Sequence, residues 1–362
     1  MPSELLSSGR VAILGAGREG QAAYSWLCQR RNLPISILAE HPCDPSFSNL
    51  LREVDKVLIE PFSEDLFKSF DLLIRSPGVS PYRQSILKAM DFGVQVTTPS
   101  NLWFDSHPDA NTVCITGTKG KSTTSSLLAH LIKNDGIRVQ LAGNIGEALL
   151  SCEDEPVDWW VIELSSYQIA DLKASPTISM ILNYSPEHLD WHGGEDNYKR
   201  DKLRLGILSE KGRLVLNHAD HTLWQHFSGQ DNTTWFNSPD GIHIKGNTLF
   251  QSKNPLPVKM PKEMPGHHNL CNVAAALTVS EMIGLDAQQS LRSVSSFKSL
   301  PHRLQNLGVR DGVRFINDSI ASTPVATLAA LEALQGKSVV LLLGGLDAKE
   351  LKPRAWKRRA LS

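Results

Sequence analysis

Gly117, Thr118, Lys119, Gly120, Lys121, Ser122 and Thr123 join the apolar run 113–116 to a helical pattern that opens at Ser122. Few folds accommodate this order of strand, glycine loop, lysine and hydroxyl-bearing helix start. The loop must turn a buried strand into a helix while its N–H groups converge on one point. Such a nest, with the Lys121 ammonium, is suited to phosphate oxygens, and Ser122 is placed to bind a phosphate-bridging Mg²⁺. The spacing is not that of the general phosphate loop. There the first glycine would fall at Ile115, so a loop opening at Gly117 is two residues shorter.

Around this loop, short apolar runs at 11–14, 35–38, 72–74, 113–115, 160–162, 180–182 and 339–343 are each followed by Gly, Pro or Asn and a helical pattern. The rhythm predicts an α/β protein of βα units on mainly parallel sheets. With 362 residues, 41% apolar and 21% charged, the chain is long enough for two or three domains. The turn-rich segment 106–111 (SHPDAN) ends a first domain at residue 109. Pro301 follows a helical pattern ending near Ser296 and precedes a strand at 313–316, which places a second boundary at 300 and gives units 1–109, 110–300 and 301–362.

A formal net charge of -1 provides no basic face for nucleic acid or a membrane surface. Cys28, Cys43, Cys114, Cys152 and Cys271 are odd in number and scattered, which argues against a disulfide framework or a zinc site and for a reducing cytoplasm. The apolar runs are too short to span a bilayer, and no leader pattern opens the chain, so neither export nor membrane insertion is expected.

A second glycine loop, Gly15, Gly17 and Gly20 in GAGREG, links the run 11–14 to a helix, and Glu40 ends the next predicted strand. This pattern fits a nucleotide diphosphate at a helix N-terminus with a carboxylate for ribose hydroxyls. It equally fits glycines that only permit a tight turn. Glu163 ends the run WWVIE, and His188 lies in NYSPEHLD after the run SMIL. Either residue alone reads as a salt-bridged acid or a packed histidine. Together, following successive strands of the sheet that carries the phosphate loop, they become candidate Mg²⁺ ligands.

The motifs GTKGKSTT, AGNIG, ELSSYQ, SPEHLDWH, YKRDKL, GHHNLCN, PHR and NDS, in this order, resemble those of the muramyl (Mur) ligase family over essentially the whole chain. The resemblance implies three domains: a Rossmann-like one for a UDP sugar, a central P-loop ATPase, and a Rossmann-like C-terminal one that receives an amino acid. It further implies an acyl-phosphate mechanism using ATP and two Mg²⁺. A substrate carboxylate attacks the γ-phosphate, and an amine then displaces phosphate. Lys121, His188 and Lys202 are the catalytic candidates that follow, with Lys202 similar to a lysine that becomes carbamylated and joins Ser122, Glu163 and His188 as a metal ligand. Asn269 and Asn272 resemble adenine contacts, Asp318 a ribose contact, and His302 and Arg303 a hinge whose arginine reaches the ATP phosphates. Asn144, Ser165 and Gln168 resemble positions on the muramoyl side of the substrate, and Ser76 and Gly78 the approach to UDP.

Within the family, ELSSYQ and NDS are similar to enzymes that add glutamate to UDP-N-acetylmuramoyl-L-alanine. Ile320 stands where those adding D-glutamate carry a lysine, so the L-glutamate branch is expected and the D-glutamate branch is the alternative. Only about 60 residues follow Arg303, against the roughly 100–150 of a complete domain. The C-terminal domain is therefore expected to be incomplete, with Lys349 near a glutamate-binding position and a basic tail unlike the family continuation. A non-catalytic UDP-sugar or nucleotide-binding protein, a nicotinamide-dependent oxidoreductase built on GAGREG, and a folylpolyglutamate-type ligase are the rival readings.

Overall fold

The computed structural model describes residues 3–152, 155–261, 264–321, 324–334 and 338–344. They fall into two units by contact, one from 1–125 with 136–235 and the other from 126–135 with 236–362.

The first unit holds two sheets. One contains β1 (Val11–Leu14), β2 (Ile35–Ala39), β3 (Lys56–Ile59), β4 (Leu72–Arg75) and β5 (Gln95–Thr97) in the order β3-β2-β1-β4-β5. Its pairings are parallel, with Val11 opposite both Ile35 and Leu72. Strands buried on both faces lose the polar alternation of a half-exposed sheet, which is why VAIL and LLIR read as short apolar runs. Along β1 the side chains still divide by face: Val11 and Ile13 join one core cluster, Ala12 and Leu14 another. The strand order reverses between β1 and β4, so the loops leaving their C-terminal ends diverge and open a crevice.

The second sheet contains β6 (Thr112–Thr116), β7 (Val139–Gly143), β8 (Trp159–Glu163), β9 (Ile178–Ile181), β10 (Arg213–Asn217) and β11 (Thr233–Phe236), in the order β11-β10-β9-β6-β8-β7. The chain leaves β6 for the β7 edge and later crosses to β9 on the other side of β6. The loops after β6, β8 and β9 therefore lie next to one another. One core cluster runs through both sheets, from Val11 and Ile74 to Trp160, Ile162 and Leu205, with the Trp103 and Trp160 rings 4.8 Å apart. Arg75, fully buried at the end of β4, donates from Nη2 to Asp171 Oδ1 (2.7 Å) and from Nε to Oδ2 (3.1 Å), and also reaches the Val79 carbonyl. Asn101 reinforces the join by donating to the Asp171 carbonyl and accepting from the Lys173 N–H.

The second unit contains an antiparallel sheet of β12 (Ile242–Lys245), β13 (Thr248–Gln251) and β14 (Asn254–Pro255), the helices His267–Met282 and Ala287–Ser296, a hairpin of β15 (Gln305–Arg310) and β16 (Val313–Asn317), and the helix Pro324–Ala333.

Six of the seven apolar runs form strands within two residues of their expected limits. The seventh does not: 338–344 carries no strand, and Val340 and Leu342 are 90% and 89% exposed. An apolar run becomes a strand only where neighbours satisfy its N–H and C=O groups, and no described strand pairs with it. Lys349 lies outside the described residues. Strands β3, β5, β7 and β10 went unpredicted because KVLI, QVT, VQLAG and RLVLN are short or mixed in polarity. No described helix is long and apolar enough to cross a membrane.

The ion pair of buried Arg75 with half-buried Asp171 generates a stability prediction. Replacing Arg75 by Ala strands Asp171 and several carbonyls, and is expected to cost about 3 kcal/mol in urea unfolding. The pair Arg10–Asp71 is just as short at 2.8 Å but exposed, so Arg10→Ala should leave the urea midpoint close to that of the parent chain.

Candidate functional site

A cleft of about 810 Å³ is built within the first unit by the loops that follow β1, β2, β4, β7 and β8, together with Glu187, His188, Lys121 and Lys202. Among the sequence-derived candidates, Gly15, Gly17, Glu40, Ser76, Gly78, Asn144, Ser165, Gln168, Lys121, His188 and Lys202 line it. They converge because both sheets present the C-terminal ends of their central strands to it.

The glycines of the first loop have separate jobs. Gly15 has φ +90°, a conformation that disfavours side chains. Gly20 is absent from the lining, and a Cβ there would lie 2.0 Å from the Gly15 carbonyl oxygen, so it serves the close approach of helix Arg18–Cys28 to the strand end. Gly17 faces open space. Ser76 Oγ donates to the Gly15 carbonyl at 3.1 Å and ties the two lips of the crevice. Glu40 is held by Arg83 Nη1 at 2.7 Å, and that hydrogen bond keeps its carboxyl below the usual range.

Opposite these, Ser165 caps the helix Ser166–Ile169 in a reciprocal capping box with Gln168. Gln168 Nε2 lies 3.5 Å from Glu19 Oε1. Glu19 was not anticipated. It lines the cleft, burial raises its carboxyl above the usual range, and its Oε2 is buried without a hydrogen bond among the described residues.

The phosphate loop is held from behind. Gly117 and Gly120 have φ +155° and +86°, and a Cβ on Gly117 would approach Leu182 Cβ to 2.9 Å. Asn183 accepts the Thr118 and Lys119 N–H groups through its backbone and side chain. Thr118 Oγ1 donates to the Ser185 carbonyl, and Lys119 Nζ pairs with Glu187 at 2.7 Å. Helix Lys121–Asn134 begins immediately after, with Ser122 and Thr123 largely buried in its first turn.

Two lysines meet on one carbonyl. Lys121 Nζ donates to Gly117 O at 2.9 Å and to Thr118 O at 3.1 Å, and Lys202 Nζ donates to the same Gly117 O at 3.0 Å. Lys202 is 2% exposed; burial, then repulsion from Lys121, drives its amine well below the ordinary lysine range. His188, in the left-handed region at φ 57°, is likewise lowered by burial and favours the neutral imidazole. Its Nε2 lies 3.8 Å from Glu187 Oε2; burial pushes the Glu187 carboxyl up, but the Lys119 hydrogen bond together with the charges of Lys119, His188 and Lys121 holds it below its usual range.

Glu163, 1% exposed, accepts from Asn144 Nδ2 at 2.7 Å through Oε1, while its Oε2 is buried and accepts nothing from the described residues. A buried carboxylate oxygen left over where the Glu163 charge acts on Lys202 fits a hard cation. No group of three or more His, Cys, Asp or Glu suited to a metal occurs among the described residues, so such an ion would rely on a mixed ligand set.

The remaining candidates lie in the second unit. Asn269 and Asn272 are buried one turn apart on helix His267–Met282, with Asn269 donating to the Pro265 carbonyl and Asn272 to Asn269 Oδ1. His302 is at φ 64° with its ring nitrogen 2.8 Å from Asn317, and the Arg303 N–H donates to Leu300 O. Burial raises the Asp318 carboxyl although it accepts from the Leu304 N–H.

Sequence reasoning also missed Arg75 and the linked set of half-buried Tyr82 with buried Asp201, His192 and Ser166. The last three fall inside the segments ELSSYQ, SPEHLDWH and YKRDKL, but nothing in their spacing shows that they meet.

Comparison with known proteins bears on the same segments. The family "Mur ligase middle domain" matches residues 115–280, and "Mur ligase MurD-like, N-terminal domain" matches 9–98. A UDP-N-acetylmuramoyl-L-alanine--L-glutamate ligase of Xanthomonas campestris pv. campestris is 40% identical over 94% of this chain and 75% of its own length. One of the same name from Micromonospora is 36% identical over 93% and 76%. The chain thus spans about three quarters of the length of these relatives. Among solved structures, a ligase from Thermotoga maritima in complex with ADP aligns with a TM-score of 0.57 at 18% identity, covering 92% of this chain and 73% of that one. UDP-N-acetylmuramate-alanine ligase from the same organism aligns with 0.56 at 18%, covering 90% and 77%.

The glycine geometry makes a direct comparison possible. Gly20→Ala must push the Gly15 carbonyl aside and is expected to cost about 2–3 kcal/mol, whereas Gly17→Ala should shift stability by less than about 0.5 kcal/mol. Thermal and urea unfolding of the two variants would check this, and equal effects would refute the assigned roles.

Proposed function

The chain belongs to the Mur ligase family, and from that membership we propose that it is an ATP-dependent amide ligase that joins L-glutamate to UDP-N-acetylmuramoyl-L-alanine. The observation that carries the reading is the meeting of Lys121 and Lys202 on the Gly117 carbonyl at the edge of the cleft.

We assign residues 1–109 to the UDP sugar, 110–300 to ATP and 301–362 to the incoming amino acid. The crevice between β1 and β4 takes the uridine diphosphate near Gly15, Gly17, Ser76 and Gly78. Asn144, Ser165 and Gln168 face the muramoyl-alanyl arm. The N–H groups of 117–123 and Lys121 hold the ATP phosphates, Asn269 and Asn272 serve adenine, Asp318 the ribose, and Arg303 the phosphate chain. Phosphoryl transfer needs in-line positioning and charge neutralisation more than covalent help from the protein. The alanyl carboxylate attacks the γ-phosphorus, ADP leaves, and the amine of glutamate then displaces phosphate from the acyl carbon to form the amide.

Lys202 is suited to carbamylation because a neutral amine is the form that adds to CO₂. Addition releases one proton and leaves a carbamate anion, which exchanges the repulsion from Lys121 for attraction. Ser122, Glu163, His188 and this carbamate would hold magnesium, whose charge offsets that of the transferring phosphate. The half-neutral, half-anionic donor set is one that Mg²⁺ accepts together with waters.

For stereochemistry, Ile320 removes a cation from the segment after NDS, and the relatives named for L-glutamate favour that branch. With UDP-N-acetylmuramoyl-L-alanine, ATP and Mg²⁺, phosphate release and a product of the added glutamate mass are expected with L-glutamate and not D-glutamate. Product from D-glutamate alone would contradict this assignment. In the same assay Lys121→Ala is expected to lower kcat by about 10²–10³-fold, and an effect under threefold would remove Lys121 from the mechanism.

A further inference from the structure

Tyr82, His192 and Ser166 connect the wall of the cleft to Asp201, the residue that precedes Lys202. The Tyr82 hydroxyl donates to Asp201 Oδ1 at 2.7 Å and lies 2.8 Å from Oδ2. Asp201 Oδ2 is 2.6 Å from His192 Nδ1, and His192 Nε2 is 3.0 Å from Ser166 Oγ. His192 is fully buried and Asp201 is 2% exposed. Arg200 Nη2 donates to the Tyr82 hydroxyl at 3.0 Å. The loop that delivers Tyr82 is itself docked on the segment before His192: Ser80 Oγ donates to the Trp191 carbonyl at 2.7 Å, and Trp191 Nε1 to the Gly78 carbonyl at 3.3 Å.

Burying a carboxylate is costly unless donors surround it, so a structure that supplies Asp201 with both a phenol and an imidazole is using it to hold something in place. Asp201 lies on helix Glu195–Ile207, one residue before Lys202. Successive helical residues are about 100° apart around the axis, so a clamp on Asp201 fixes the rotation of the helix and hence the direction of the neighbouring side chain. In that setting Lys202 reaches the Gly117 carbonyl at 3.0 Å.

We infer that Asp201, gripped by Tyr82 and His192, is a positioning residue for Lys202, and that it makes assembly of the metal-binding end of the cleft depend on the docking of loop 76–82. The inference rests on the reading of Lys202 as a carbamylated ligand. The clamp takes no part in the chemistry. It holds the Lys202 amine on the Gly117 carbonyl that Lys121 also reaches, and it lets the substrate wall, through Gly78 and Tyr82, bear on the metal site.

The test uses the full chain with Tyr82→Phe, which removes one hydroxyl, and Asp201→Asn, each supplied with ¹³C-bicarbonate. Four quantities are measured: the carbamate ¹³C resonance, the Mg²⁺ concentration for half-maximal rate, kcat, and KM for ATP. Both variants are expected to lose most of the carbamate signal, to need about tenfold more Mg²⁺, and to show a kcat about tenfold lower with KM for ATP within twofold. A purely structural role would lower the thermal midpoint while leaving the carbamate signal and Mg²⁺ dependence of the folded protein unchanged, and that result in Tyr82→Phe would overturn the inference. Absence of the resonance from the parent chain would overturn the reading of Lys202 and the inference with it, whereas a parent resonance that persists in both variants overturns the inference alone.

Discussion

The carbonyl of Gly117 accepts from two lysines, one at the start of the phosphate-loop helix and one on helix Glu195–Ile207. Burial, and then repulsion between two ammonium groups around 3 Å from one oxygen, pushes the Lys202 amine well below the ordinary lysine range. The arrangement therefore favours the neutral amine of Lys202 next to the Lys121 ammonium. It requires Gly117 to hold φ +155° and to sit against Leu182 with no side chain, and it requires the second helix to be held so that its lysine points inward.

Those requirements explain features that otherwise look unrelated. The order of the second sheet puts the loops after β6, β8 and β9 side by side, so Gly117, Glu163 and Asn183 come from different strands yet meet. Asn183 supplies acceptors for the loop N–H groups, and Asn144 takes one oxygen of Glu163, leaving the other uncommitted among the described residues. The pair of buried Arg75 with Asp171 and the shared aromatic core join the first sheet to the second, so the crevice of one opens onto the phosphate loop of the other.

Much of this was legible in the sequence because it depends on local pattern. A glycine loop between a buried strand and a helix announces itself, and β1 and helix Ala287–Ser296 ended where apolar pattern and Pro301 indicated. The apolar run 339–343 misled because apolar composition alone does not supply hydrogen-bonding neighbours. The burial of Lys202, the capture of Glu40 by Arg83 and the meeting of Tyr82 with Asp201 were out of reach. Each joins residues tens of positions or more apart, or depends on a desolvation that no local spacing encodes.

If these groups serve acyl activation, the oxygen atoms should record it. Supplying UDP-N-acetylmuramoyl-L-alanine with ¹⁸O in the alanyl carboxylate, together with ATP, Mg²⁺ and L-glutamate, and measuring the mass of the released phosphate follows the bond that the mechanism forms and breaks. Transfer of the γ-phosphoryl group to the carboxylate predicts one ¹⁸O in each phosphate released with product. Phosphate free of ¹⁸O, with both labelled atoms retained on the sugar, would show that ATP is hydrolysed by water and would contradict the account.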